Sequence, residues 1–279
     1  MARSWITTST LTTDQRLNVL NLLNRTDVAL GREAIDEARR RTVVHGWDGE
    51  HWLQHEGPTL VGYALVSGRE APTVEMCGGA VDLELRDAIL EHHARLDWWI
   101  RDSAPVDGAT LVRTLQLMRV GLPVPVTSIP EHATLRNFEP HSDEHAWLEQ
   151  NNAAFAHHPE QGAWREEDLA ARTLEPWFDP SGFLLLEIDG RLAASCWTKV
   201  HELHYERFGE IYVISVHPDF QGRGLGRVMV TQGLDVLRKK GVTDAILFAD
   251  RSNHEARRLY ESLGFHVDRE DHLVRFARP

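Results

Sequence analysis

The chain has 279 residues, 42% apolar and 26% charged, and no apolar run near membrane-spanning length, which excludes a helical membrane span and wholesale disorder. Its 30 basic residues against 42 acidic ones give a formal net charge of −12, so nucleic acid is repelled overall and any phosphate must be held by a local basic cluster. Cys77 and Cys196 lie outside any CxxC spacing, which excludes a disulfide framework and a zinc ribbon. The first residues, MARSWITTSTLTTDQ, lack the apolar core of a signal peptide. The expectation is a cytoplasmic protein, acting as a monomer on a small molecule, with no nucleic-acid or membrane partner. At about 100–200 residues per domain, two domains are expected.

In chain order, residues 5–7 lean toward a strand, and Thr12, Thr13 and Asp14 offer caps for a helix to about Arg25. A second helix is predicted from about Gly31 to Arg41, then hairpin strands at 59–66 and 73–81 between Gly and Pro punctuation. Residues 83–101 carry Leu85, Ile89, Leu96 and Trp99 at helical spacing, and 110–120 read as a strand. Pro123, Pro125 and Pro130 then break regular structure, which sets the expected boundary between domains 1–130 and 131–279.

The order then repeats. A strand is predicted at 134–136, a helix capped by Ser142 through Asn152, and a hairpin of 182–188 and 192–200 about Asp189–Gly190. A third strand at 210–216 leads through a glycine-rich loop into a helix ending near Lys240; a strand at 244–249 and a helix at 254–263 follow. Trp5 aligns with Leu135, Tyr63–Ala64 with Ala194–Ser195, and Val81 with Val216, a spacing of roughly 130 residues.

The sharpest motif lies in the second half, EIYVISVHPDFQGRGLGR over 210–227. A β-rich run ends at His217–Pro218, and Gly222, Gly224 and Gly226 clear side chains where backbone N–H groups can close on an anion. The next helix adds its unpaired N–H groups and positive dipole end. Between Gln221 and Gly241 stand Arg223, Arg227, Arg238, Lys239 and Lys240 against one acid, Asp235; the last three basic residues also suit a helix C-terminus. A Walker loop needs Gly-Lys-Ser/Thr, which is absent, and a dinucleotide fingerprint needs glycine where Arg227 stands.

What remains is Gln221-x-x-Gly224-x-Gly226, and here the chain resembles the GCN5-related N-acetyltransferases. In that family such a loop binds the pyrophosphate of acetyl-CoA, and the strand before it pairs with the pantetheine arm and polarises the thioester carbonyl. The flanks agree: NHEARRLYESLGF supplies Asn253, Ala256, Tyr260, Gly264 and Phe265 at the family's spacing. The resemblance implies an α/β chain of the α+β kind, two tandem domains each with a mixed central sheet flanked by helices. It implies acetyl-CoA as co-substrate, with no metal. Cofactor contacts fall on Ile214, Ser215 and Val216, on Gln221, Gly222, Arg223, Gly224, Leu225, Gly226 and Arg227, and on Asn253, His254, Glu255, Ala256, Arg257 and Arg258. Tyr260 is the implied general acid for the leaving thiolate; read alone, it is a core aromatic of an amphipathic helix.

Most of the chain further resembles the mycothiol synthase family of actinobacteria through NNAAFAHHPEQGAW, EPWFDPSG, CWTKVH and GEIYVISVHPDFQGRGLG. That resemblance implies transfer of acetyl to the cysteinyl amine of desacetylmycothiol (Cys-GlcN-Ins) by direct attack in a ternary complex. It assigns acceptor contacts to Glu160, Lys199 and Glu210, with Glu33 in GREA as one from the first domain. Glu210, opening the strand beside the thioester, is the expected general base, because an amine is nucleophilic only after losing a proton. Bland readings stand beside these: a solvated strand-start acid for Glu210, an exposed strand lysine for Lys199, a helix cap for Glu160. The family's acceptor tyrosine falls at Phe248, which keeps aromatic contact and loses the hydroxyl. In the first half the counterpart of the glycine loop is expected near LELRDAILEH (83–92), which has no glycine, so that domain is expected to be degenerate and non-catalytic.

His201–Glu202–Leu203–His204 fails the zincin spacing, and His157–His158, His141 and His145 form no ligand set. Cys196, inside a strand, reads as a buried small hydrophobe. An acetyltransferase for another amine, such as an aminoglycoside or polyamine, and a non-catalytic acyl-CoA-binding regulator remain the alternatives.

Overall fold

The structure is a computed structural model and describes residues 4–68, 72–101, 106–156, 163–202 and 206–278. Its contacts divide it into two compact units. The first takes the chain up to Gln116 with Asp250–Ser252 and the C-terminal stretch from Arg269; the second takes Leu117–Ala249 and Asn253–Asp268. The division therefore falls earlier than the expected cut at 130, and the C-terminal stretch belongs with the first unit, because its last strand adds to that unit's sheet.

The first unit contains β1 (Ser4–Thr8), α1 (Thr13–Leu30), α2 (Glu37–His45), β2 (Glu50–Glu56), β3 (Thr59–Ser67), β4 (Thr73–Met76), α3 (Leu83–Leu90) and β5 (Arg95–Arg101). Strand β6 (Thr110–Gly121) begins in it and ends in the second unit. Thr12 starts α1 through a capping box: its hydroxyl accepts from Gln15 N–H at 3.2 Å and the Gln15 side chain accepts from Thr12 N–H at 2.9 Å. Gly31, in the left-handed region at φ 63°, ends the helix well beyond the expected end at Arg25. Asp36 then caps α2, which starts later than predicted.

Residues 83–101 are not one helix. The helix stops at Leu90, and 95–101 form β5, parallel to β4 through Thr73–Asp97, Val74–Trp98 and Glu75–Trp99. Leu96, Trp98 and Ile100 alternate onto one buried face, and this period of two prevails over the helical spacing that also links Ile89 to Leu96 and Trp99. Strand β4 also ends at Met76 rather than 81, so Val81 lies just before α3 and is not the strand partner of Val216.

The second unit contains β7 (Ala133–Asn137), α4 (Glu144–Ala154), α5 (Glu166–Thr173), β8 (Phe183–Ile188), β9 (Arg191–Glu202), β10 (Arg207–Val216), α6 (Leu225–Lys239), β11 (Asp244–Asp250) and α7 (His254–Ser262); β12 (His266–Ala277) closes the chain. Strands β7 to β10 form an antiparallel meander, and α6 crosses over to bring β11 parallel to β10. In the first unit β1 to β4 are antiparallel, β4 and β5 parallel, and β12 antiparallel to β5. Each unit is thus a mixed sheet with helices. Strands β2 and β12 and helix α5 are additions to the predicted set, and Asp143 rather than Ser142 precedes α4.

The two faces of the second unit's sheet bury different chemistry. Met229, Leu234, Leu237, Cys196, Ile211, Tyr260 and Phe265 pack beneath α6 and α7. Phe138, Trp147, Trp164, Phe183 and Trp197 pack beneath α4 and α5 as an aromatic layer, with Phe183 and Trp197 stacked at 4.5 Å. No described helix is long and apolar enough to cross a membrane.

Candidate active site

The site is built where β10 leaves β11. The two strands share register pairs at Gly209–Ala245 and Glu210–Ile246, and among the described residues none beyond. Against β9, β10 stays paired as far as Val216–Ala194, with an irregularity between Ile211 and Val213 that adds Tyr212. From Tyr212 to Val216, β10 therefore has one edge paired and one edge open, and Ile214, Ser215 and Val216 lie on that stretch. An extended amide-bearing chain can add to such an edge. The Ser215 hydroxyl is turned away from the opening, bonded at 3.0 Å to Gln150 and 2.9 Å from Ser195, so any contact this residue makes along the edge comes from its backbone.

The glycine loop follows directly. Gln221 reaches back, its Nε2 donating to Val216 O at 3.2 Å, and fixes the loop to the end of β10. Gly222 and Gly224 have φ of 73° and 77°, left-handed values that favour glycine, and a Cβ on either would meet no atom within 4 Å. Gly224 is the N-cap of α6 and carries no capping side chain, so the first-turn N–H groups, beginning with Leu225, face the loop. Gly226 has another role: a Cβ there would press on Leu259 at 3.2 Å, where α6 packs on α7.

The local basic excess is smaller here than the sequence suggests. Arg238 and Lys239 pair with Asp235 at 2.9 and 2.8 Å, and Lys240 with Asp179 at 2.8 Å, all at the far end of α6. Arg223 and Arg227 remain beside the loop. Arg223 lies over Phe220 and donates to Asp219 O at 3.1 Å; Arg227 donates to the Ser262 hydroxyl. Asn253 caps α7 by accepting from Ala256 N–H at 3.1 Å, Arg257 donates to Glu261 at 3.1 Å, and His254, Glu255 and Arg258 are exposed.

Glu210 is 7% exposed, and Lys199 is its register partner on β9. Burial pushes its carboxyl up, but the hydrogen bond from His201 and the charges of His201 and Lys199 outweigh that and hold it below the ordinary glutamate value. The group is therefore ionised at neutral pH and able to accept a proton. Lys199 is 7% exposed, with Nζ 4.6 Å from the Trp177 ring and 5.6 Å from that of Tyr212, which removes the exposed-lysine reading. Phe248 on β11 is 40% exposed. Tyr260 is 7% exposed, and burial, with a smaller push from Cys196, raises its phenol to about 12, so it stays protonated across the neutral range. Cys196 is buried, its thiol raised to about 12 by burial alone. Glu33 is half-buried in the first unit, its backbone carbonyl accepting from Arg32 at 3.2 Å. Glu160 lies outside the described residues, as do His157, His158 and His204. Among the described residues no three His, Cys, Asp or Glu side chains gather as a metal site.

Sequence reasoning missed the group that sits on Glu210. His201 Nε2 lies 2.6 Å from Glu210 Oε2. The signal was the i, i+2 spacing of Lys199 and His201, which puts both on one face of a strand.

Residues 135–265 match the family model described as Acetyltransferase (GNAT) family. A solved tandem GNAT protein from the clavulanic acid biosynthesis pathway aligns over 100% of this chain and 99% of its own, with a TM-score of 0.69 at 16% identity, a likeness of fold. The chain is a tandem GNAT-fold acetyltransferase, an enzyme that takes its acetyl group from acetyl-CoA. Mycothiol acetyltransferase of Streptomyces coelicolor is 39% identical over 301 aligned positions, covering 98% of this chain and 95% of that protein. Mycothiol acetyltransferase of Thermomonospora curvata is 52% identical over 165 positions, 58% of this chain and 54% of that protein. The chain belongs to the mycothiol acetyltransferase family.

Proposed function

We propose that this enzyme transfers acetyl from acetyl-CoA to the cysteinyl amine of desacetylmycothiol, giving mycothiol and CoA, and that the second unit performs the chemistry. The observation that carries the reading is Glu210: a buried, ionised carboxylate at the point where β10 and β11 part, at the start of the open strand edge that leads on to the glycine loop and the open α6 N-terminus. In this reading the pantetheine arm lies along Ile214–Ser215–Val216, and the pyrophosphate sits on the N–H groups of the 221–227 loop. The exposed first turn of α7 meets the nucleotide end. Lys199, Phe248, Glu160 and Glu33 contact the acceptor.

The reaction follows from these groups. Glu210 takes a proton from the acceptor ammonium, directly or through a water, and the freed lone pair attacks the thioester carbon. A β10 backbone N–H polarises the thioester carbonyl, and the C–S bond breaks as Tyr260 gives its proton to the departing thiolate. The nitrogen sheds its remaining extra proton, which restores the Tyr260 phenol directly or through solvent, to leave the neutral amide. No covalent acetyl-enzyme is needed, because a neutral amine is itself a competent nucleophile. The acidic surface suits a small cationic acceptor over a polyanion, and the protein is read as a cytoplasmic monomer. Mass spectrometry of the purified protein with acetyl-CoA and a panel of amines tests the substrate. Acetylation of the cysteinyl pseudodisaccharide above all other amines is the expected result; preference for an aminoglycoside or polyamine, or no turnover with any amine, contradicts it.

A further inference from the structure

His201 is held where it can do one thing. Its ring stacks on Phe208, its register partner on β10, with centroids 4.6 Å apart and planes 13° from parallel. The Arg119 guanidinium lies over the same Phe208 ring at 5.4 Å. The His201 and Glu210 side chains are only 10% and 9% exposed, so water does not compete freely for their contact. An ionised carboxylate only accepts hydrogen bonds, so the 2.6 Å contact requires a proton on Nε2. Neutral and protonated imidazole can both carry that proton, so the donor role does not depend on the charge of the ring.

We propose that His201 is a positioning residue for the base: it donates from Nε2 to Glu210 Oε2, fixes the carboxylate, and leaves Oε1 to take the amine proton. The inference rests on reading Glu210 as the base. In the proton transfer an N–H bond of the acceptor breaks and an O–H bond forms at Oε1, while His201 keeps its own proton throughout. The charges acting on Glu210 are His201 and Lys199, both on β9. Its partner on β11 is the apolar Ile246, α6 presents Leu237 to the adjoining Gly209, and α4 reaches β10 with the neutral Gln150. Removing the His201 donor therefore leaves burial opposed by Lys199 alone, and the carboxylate must titrate at higher pH.

The test is the pH profile of kcat, with both substrates saturating, between about pH 3 and about pH 9 for wild type, His201→Phe, His201→Gln and Glu210→Gln. His201→Phe keeps a ring to stack on Phe208 and removes the donor; His201→Gln restores an N–H donor. The expected result is an acid limb moved up by about one pH unit in His201→Phe, hence about a tenfold loss at pH values below it. KM for acetyl-CoA should be unchanged, and the limb should return toward wild type in His201→Gln. Lost packing alone lowers kcat at every pH without moving the limb. If His201→Phe does not fold, His201→Asn, whose shorter amide stops short of Oε2, is read in the same way. An unmoved acid limb beside a slow Glu210→Gln overturns the role of His201 and leaves the base in place. A Glu210→Gln variant at full rate overturns the base, and the role of His201 with it.

Discussion

The two units cross from strand to helix to parallel strand in the same way, and the two crossings differ chemically at both ends. Glu75 on β4 and Glu210 on β10 occupy equivalent places, each the last register pair with the following parallel strand, Glu75 with Trp99 and Glu210 with Ile246. Glu75 is wholly buried: Arg101 pairs with one oxygen, and the other accepts from Asp36 N–H at 2.9 Å and lies 3.4 Å from Arg39. Burial outweighs the arginines and pushes its carboxyl up to about 7. Glu210 has one histidine donor and is pushed the other way.

The helix ends diverge likewise. Helix α3 is capped by Asp82, whose Oδ1 accepts from Leu85 N–H at 2.9 Å, and Glu84 sits in its first turn. Both acids repel an anion and one occupies an N–H group that an anion needs. Helix α6 has a bare glycine cap and no acid in its first turn. The shared topology supplies the place for a cofactor site; in the proposed function, the free helix end and ionised carboxylate of the second unit make one.

The largest predicted effect separates the two carboxylates. Glu210→Gln should slow transfer by about 10²–10⁴-fold at neutral pH, with partial recovery at high pH as more amine arrives neutral. Because Glu210 titrates below the ordinary value of 4.5, wild-type kcat should not fall from its protonation until the pH drops below that value. Glu75→Gln should leave kcat within about twofold, yet lower stability in denaturant by about 3–5 kcal/mol above about pH 7, where Glu75 is charged and Arg39 and Arg101 lose a buried counter-charge, and by less below it. Equal losses of rate in the two variants would erase the distinction.

Gly224→Val comes next. It forces a β-branched residue to a φ of 77° and fills space now open before α6. KM for acetyl-CoA should rise by about tenfold, the equivalent of roughly 1.4 kcal/mol. A wild-type KM in a folded variant would reduce the loop to a turn.

Tyr260→Phe should cost less than Glu210→Gln and show no recovery at high pH, because a thiolate of pKa about 8.5 is already a fair leaving group. Steady-state rates with saturating acetyl-CoA check this. The smallest effect belongs to the first unit: Asp82→Ala should remove about 1 kcal/mol of stability with the loss of a cap, and leave acetyl-CoA binding unchanged.

The second unit's candidate site is legible in sequence because its parts are consecutive. The run from Glu210 through Gln221 and Gly224 to α6, and Asn253 at the head of α7, declare strand, loop and capped helix by local chemistry. His201 is not legible as a partner of Glu210, because that contact depends on the register between β9 and β10. The first unit's crossing misleads for a related reason. With β4 expected to run to 81, the loop is expected at LELRDAILEH, whereas it lies at 77–82 and does contain glycines, Gly78 and Gly79 at φ 93° and 77°. Glycine content therefore does not distinguish the two loops; Asp82 does. Strand β12 is hidden in sequence because HVDREDHLVRFA carries many charges, some of which the fold pairs, as in Arg275 with Asp97 and Arg269 with Asp271.

Of the two crossings, the second alone is proposed to hold acetyl-CoA. Isothermal titration of acetyl-CoA into the full chain tests it most directly, with Gly224→Val run alongside. One site per chain is predicted, weakened in the variant; two sites of similar affinity, or a single site that Gly224→Val leaves untouched, would contradict it.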